Sequence, residues 1–152
     1  MKRLLLITIA VLFSVTAFAQ RISIFDICYK EGNLIQTHTV DDIVLRITNK
    51  GFYLINTESV RALGVANAYY TYKLYTYYQQ STNTKIKLSE GMPQTIVFGS
   101  SNDAALFASE ALKARYAIRM DGTYVLTQYE EYSGIEGFNI QGRTLQFVYS
   151  EL

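Results

Sequence analysis

Apolar residues come first as one block and afterwards as short alternating runs. Leu4 to Val15 is apolar apart from Thr8 and Ser14, is preceded by Lys2 and Arg3, and ends at Ala17-Phe18-Ala19. A basic start, an apolar stretch of roughly a dozen residues and a small-x-small ending mark a secretory signal peptide. The expectation is cleavage after Ala19, export to the periplasm or beyond the cell, and one globular domain over residues 20–152. The apolar block is shorter than the roughly 20 residues that span a bilayer, so stable membrane insertion after cleavage is not expected.

Past the leader the pattern predicts strands. Arg21 to Tyr29 reads as a first strand of mixed parity, with Cys28 on the side of Ile22 and Ile24 but Phe25, Ile27 and Tyr29 on the other; a bulge or burial on both faces would explain it. Lys30 to Asn33 is a turn and Leu34 to Val40 a second extended piece. Ile43 to Thr48 and Phe52 to Ile55 flank Asn49-Lys50-Gly51, which predicts a hairpin with glycine at the positive-φ position. Asn56 or Thr57 then suits a helix N-cap, and Val60, Leu63 and Val65 give a short helix over about 57–66.

The stretch from Ala68 to Gln80 carries two periodicities. Val60, Leu63, Asn67, Tyr70, Leu74 and Tyr77 fit a heptad seam, whereas Tyr70, Tyr72, Leu74, Thr76 and Tyr78 share one face of a strand and Tyr69, Thr71, Lys73, Tyr75 and Tyr77 the other. Dense tyrosine and threonine favour the strand. Lys85-Ile86-Lys87-Leu88 alternates as a half-exposed strand, and Gln94 to Phe98 is extended again. Ser101 or Asn102 caps the main helix, about 102–115, in which Phe107, Ala111 and Ala114 form an apolar stripe with Ala104 and Ala108 beside it. Two further hairpins follow, one turning at Asp121-Gly122 and one at Gln141-Gly142. The fold class is therefore α+β, an antiparallel hairpin-connected sheet of about eight strands with two helices, the alternative being a small β-barrel with helix caps.

Composition narrows the function more than it defines it. Loss of Lys2 and Arg3 with the leader changes the formal charge from +1 to −1, so there is no basic footprint for nucleic acid. The single cysteine, Cys28, cannot close an intramolecular disulfide and is expected to be a buried thiol. The one histidine, His38, could be drawn into a Cys28-His38-Asp41 arrangement, but no cysteine-hydrolase signature surrounds Cys28. His38, Asp41 and Asp42 supply too few nitrogen or sulfur ligands for structural zinc, and no calcium-loop spacing exists. Glu130, Glu131 and Glu136 read as a solvated loop, a weak basis for carboxylate-pair hydrolysis. No cofactor or metal is implied.

The compositional excess is tyrosine, 13 residues against no tryptophan, with six of them between Tyr69 and Tyr78. Tyrosine offers large amphipathic contact area at little entropic cost and is enriched in binding surfaces. It also stiffens sheets by cross-strand pairing. The leading expectation is an exported, non-enzymatic binding or interaction module with a protein or glycan partner. Tyr69, Tyr75 and Tyr77 are taken as outward contact residues and Lys73 as a polar one. The alternatives are a secreted hydrolase built on Cys28 and His38 or on Glu130, Glu131 and Glu136, and a self-associating envelope subunit.

Overall fold

The computed structural model describes residues 21–32, 34–90, 92–113, 116–118, 123–126 and 135–149. The predicted leader, the Asp121-Gly122 turn and Ala114 lie outside the described residues. The elements run α1 (Ile24–Ile27), β1 (Cys28–Glu31), β2 (Leu34–Thr37), α2 (Val40–Asn49), β3 (Tyr53–Leu63), a 3-10 turn (Val65–Asn67) and β4 (Tyr69–Gln79). They continue as β5 (Thr84–Ser89), β6 (Met92–Val97), α3 (Ser101–Lys113), β7 (Tyr116–Ile118), β8 (Tyr124–Leu126), β9 (Ile135–Gln141) and β10 (Thr144–Tyr149). β1 and β2 pair with each other, and the other described strands form one sheet in the order β3-β4-β5-β6-β10-β9-β8-β7. Every pairing in it is antiparallel. The chain thus has the expected α+β class, with an open sheet rather than a barrel among the described residues.

Strand alternation decides which sheet face is buried. The register aligns Tyr77 with Ile86, Ile86 with Ile96, Ile96 with Leu145, and Phe147 with Phe138, which faces Tyr124. These side chains share one face and join the core formed with Ile22, Ile24 and Ile27, Ile43 and Ile47 of α2, and Ala104, Phe107 and Ala111 of α3. The other face carries Lys85, Thr144, Gln146 and Asn139, all exposed. The molecule is therefore a two-layer arrangement, helices on one face and solvent on the other. Phe107 packs edge-on against Phe138, with ring centroids 5.8 Å apart, and its alanine neighbours let α3 lie close to the strands.

Three local expectations are corrected. The first strand begins instead with the one-turn helix α1, because Ile24, Ile27 and Cys28 are buried at helical i, i+3, i+4 spacing; no bulge is needed to explain the parity. The predicted Ile43–Ile55 hairpin is a helix followed by a strand. Val40, Ile43, Val44 and Ile47 lie on one stripe of α2, Thr39 accepts the Asp42 amide as N-cap, and Asp41 and Asp42 occupy the first turn, where the helix dipole favours acids. At the far end the Gly51 amide bonds to the Thr48 carbonyl and the Phe52 amide to that of Ile47, a Schellman cap with Gly51 at φ +90. Positive φ at this glycine is real, but it ends a helix instead of turning a hairpin.

The third correction concerns residues 57–66. No helix forms there: Thr57 to Leu63 belong to β3, paired with β4 from Leu63↔Tyr69 back to Tyr53↔Tyr78 with a register shift at Leu54/Asn56. Only Val65–Asn67 make a short 3-10 turn. The long tyrosine-rich partner strand supplies eleven residues of ladder, which outweighs the local cap signal at Asn56 and Thr57. The second extended piece ends at Thr37 rather than Val40, which opens α2, and the main helix is observed over Ser101–Lys113, capped by the Ser100 hydroxyl accepting the Asp103 amide rather than by Ser101 or Asn102.

A buried polar knot ties the first helices to the root of β4. Lys50 Nζ lies 2.7 Å from Asp26 Oδ2 and donates to the Arg21 carbonyl at 3.0 Å. Asp26 also accepts the Ser23 amide at 2.8 Å, and the Gln79 amide nitrogen donates to the Lys50 carbonyl at 2.7 Å. Each charged or polar group drawn out of water here has a partner, which burial requires. Across the sheet Gly99 passes so near the β4–β5 turn that a Cβ there would stand 2.1 Å from the Thr82 carbonyl oxygen. Only glycine fits that crossing.

Candidate functional site

The tyrosine strand is divided into two environments by the length of its neighbours. β5 pairs with β4 only from Leu74 to Gln79, whereas β3 follows it to Tyr69. The pairs from Ser59↔Lys73 to Leu63↔Tyr69 therefore form a two-stranded ribbon beyond the third strand, roughly 16 Å long at about 3.3 Å per residue. Its tip is exposed and largely apolar: Leu63 is 58% accessible, Val65 95%, Tyr69 63% and Tyr70 52%. The Arg61 guanidinium lies 4.2 Å from the centre of the Tyr69 ring, on the face that also carries exposed Lys73. On the opposite face the Tyr70 and Tyr72 rings stack at 5.9 Å. Ala66 and Asn67 hold positive φ at the end of the loop.

At the root the faces reverse the expected assignment of Tyr75 and Tyr77. Both share the parity of Tyr69, but their register partners are Leu88 and Ile86, which are fully buried. That face is the helix side, and Tyr77 packs against the core. Burial and the neighbouring Tyr75 raise the Tyr77 hydroxyl above its ordinary range. The two rings line a cleft of about 510 Å³ between the start of α2 and the β4–β5 edge, with Val40 and Val44 as apolar surface, buried Leu88 behind them and Asp41 and Glu90 also contributing. So Tyr69 and Lys73 stand on the open ribbon, and Tyr75 and Tyr77 in a concavity at its base. Sequence reasoning missed the partners of that concavity, Val40, Val44 and Asp41, because it assigned their segment to a strand and turn; the i, i+3, i+4 spacing of Val40, Ile43 and Val44 was the available signal.

The candidate reacting groups are not brought together. Cys28 pairs with Thr37 and is buried, while His38 packs at a tilt against the Tyr29 ring, centroids 4.9 Å apart, on the opposite side of the β1–β2 hairpin by strand alternation. His38 Nε2 lies 3.2 Å from the Phe25 carbonyl oxygen, which accepts only, so the proton resides on Nε2. Burial, assisted by Arg46, lowers the pKa of His38 below 6.5. Asp42 serves the α2 cap, receiving the Thr39 hydroxyl at 2.7 Å. No group of three or more His, Cys, Asp or Glu able to hold a metal occurs among the described residues. Glu130 and Glu131 lie outside the described residues, and Glu136 is described only as backbone in β9.

No described helix is long and apolar enough to cross a membrane. Comparison with protein families, curated proteins and solved structures gives no match, so the functional reading rests on the ribbon and the cleft themselves.

Proposed function

We propose that the protein is an exported, non-enzymatic interaction module that docks a partner protein through the β3–β4 ribbon. The observation that carries this is the exposure of Leu63, Val65, Tyr69 and Tyr70 together at the tip of a ribbon that no third described strand supports. Two strands alone are marginal in water, so such a tip is poorly justified as architecture and well suited to burial against another surface, where aromatic anchors carry most of the binding energy. Lys73 and Arg61 supply polar contacts on one face. Export follows from the leader pattern in residues 1–19.

The test uses mature protein, residues 20–152, on envelope fractions and a glycan panel, beside a Tyr69→Ser/Tyr70→Ser variant. Loss of a protein partner with an unchanged melting temperature is the expected result. Retention of the partner by the double variant, or capture of a glycan alone, overturns it.

A second reading has its own support. The outer edge of β3 is unpaired among the described residues over Tyr53–Leu63, and an open edge of this length is a template for strand addition by a second copy. Light scattering across a concentration series tests it: a dimer abolished by proline at Thr57 sustains the self-associating reading, and a monomer at every concentration removes it.

A further inference from the structure

We infer that the cleft at the root of the ribbon binds a small organic ammonium ion whose apolar substituent lies along Val40 and Val44. The volume, about 510 Å³, is in the range that receives a small molecule rather than a few waters. The wall is made by the Tyr75 and Tyr77 rings, whose faces attract a cation and tolerate its methyl or methylene groups. Both rings are held by the sheet, since their register partners Leu88 and Ile86 are fully buried.

Charge completes the selection. Asp41 and Glu90 line the same cleft and both are exposed, and neither forms an ion pair with a described residue. Among the described residues no lysine or arginine lines it. An anion entering would meet two carboxylates with no compensating donor of positive charge, and a neutral alcohol would leave them unmatched; an ammonium ion satisfies rings and carboxylates at once. The apolar residues then favour a substituted ammonium over a bare one. This site does not depend on ribbon docking, because none of its residues belongs to the exposed tip.

The experiment titrates the mature protein with hexyltrimethylammonium, tetramethylammonium, hexanol and hexanoate, following tyrosine ring signals by NMR. Hexyltrimethylammonium should shift Tyr75 and Tyr77 saturably while leaving Tyr69 and Tyr70 unmoved. Hexanol should bind about tenfold more weakly, hexanoate less still, and tetramethylammonium more weakly than its hexyl analogue. Asp41→Asn with Glu90→Gln, at exposed positions that keep the fold, should cost about tenfold in affinity for the hexyl cation, and added salt should weaken binding to the unaltered protein. Equal binding of hexanol, shifts that survive the double substitution, or no saturable shift with any cation would overturn the inference. The Tyr69→Ser/Tyr70→Ser variant must still bind the cation, which separates failure here from failure of ribbon docking.

Discussion

The two halves of β4 carry the same kinds of residue and live in different surroundings. From Leu74 to Gln79 the strand has β5 on one side, β3 on the other and helices over one face; from Tyr69 to Lys73 it has β3 alone among the described strands. Tyr77 is consequently packed on the core, whereas Tyr69 is open to solvent with the Arg61 guanidinium over its ring. A tyrosine's role in this chain is therefore set by how far the neighbouring strand extends, and the same alternation serves architecture at one end and contact surface at the other.

That contrast predicts unequal energetics. The largest effect belongs to the covered half: Leu88→Ala, at a position with no exposed surface, should cost about 3 kcal/mol in urea unfolding through lost transfer energy and a residual cavity. Next comes the buried imidazole beside α2. His38 titrates below its ordinary 6.5 in the folded chain, so the unfolded state binds more protons between the two values and stability rises with pH there. Stability should be complete above about pH 6.5 and decline as pH falls toward the folded value; His38→Gln should flatten that slope in melting curves taken from pH 7 to 5. The smallest effect belongs to the tip, where Tyr70→Ser should change stability by about 0.5 kcal/mol or less. A tip substitution as costly as Leu88→Ala would show that the ribbon is part of the folded unit's support and would remove the distinction between the halves.

The covered half was also the more legible in the sequence. Lys85-Ile86-Lys87-Leu88 alternates, and the structure places both lysines opposite the buried Ile86 and Leu88. The alanine-rich α3 and the β9–β10 hairpin were similarly readable, since local propensity and tertiary environment agree there. The hairpin turn is offset by one residue, Gln141 pairing with Thr144 and Gly142 taking φ +61. What stayed hidden depended on register. Nothing local to Tyr75 and Tyr77 says which parity faces inward; that is decided by pairing Tyr77 with Ile86. In α2 the β-branched Ile43, Val44, Ile47 and Thr48 outweighed the Thr39 cap and the acidic first turn, although burial of the Ile43–Ile47 stripe is what stabilises the helix. The cleft needs both α2 and that register, so it was out of reach from propensity alone.

The order of strands has a consequence for how the chain reaches this state. Each neighbour in the sheet is also a neighbour in sequence except β6 and β10, which meet through Ile96↔Leu145 and the pairs flanking it. Two meanders, β3 to β6 and β7 to β10, can each assemble from local turns with little loop entropy to overcome. The long-range search is confined to one seam, and the intervening α3 docks on both sides of it through Phe107, which touches Phe98 just past β6 and Phe138 in β9.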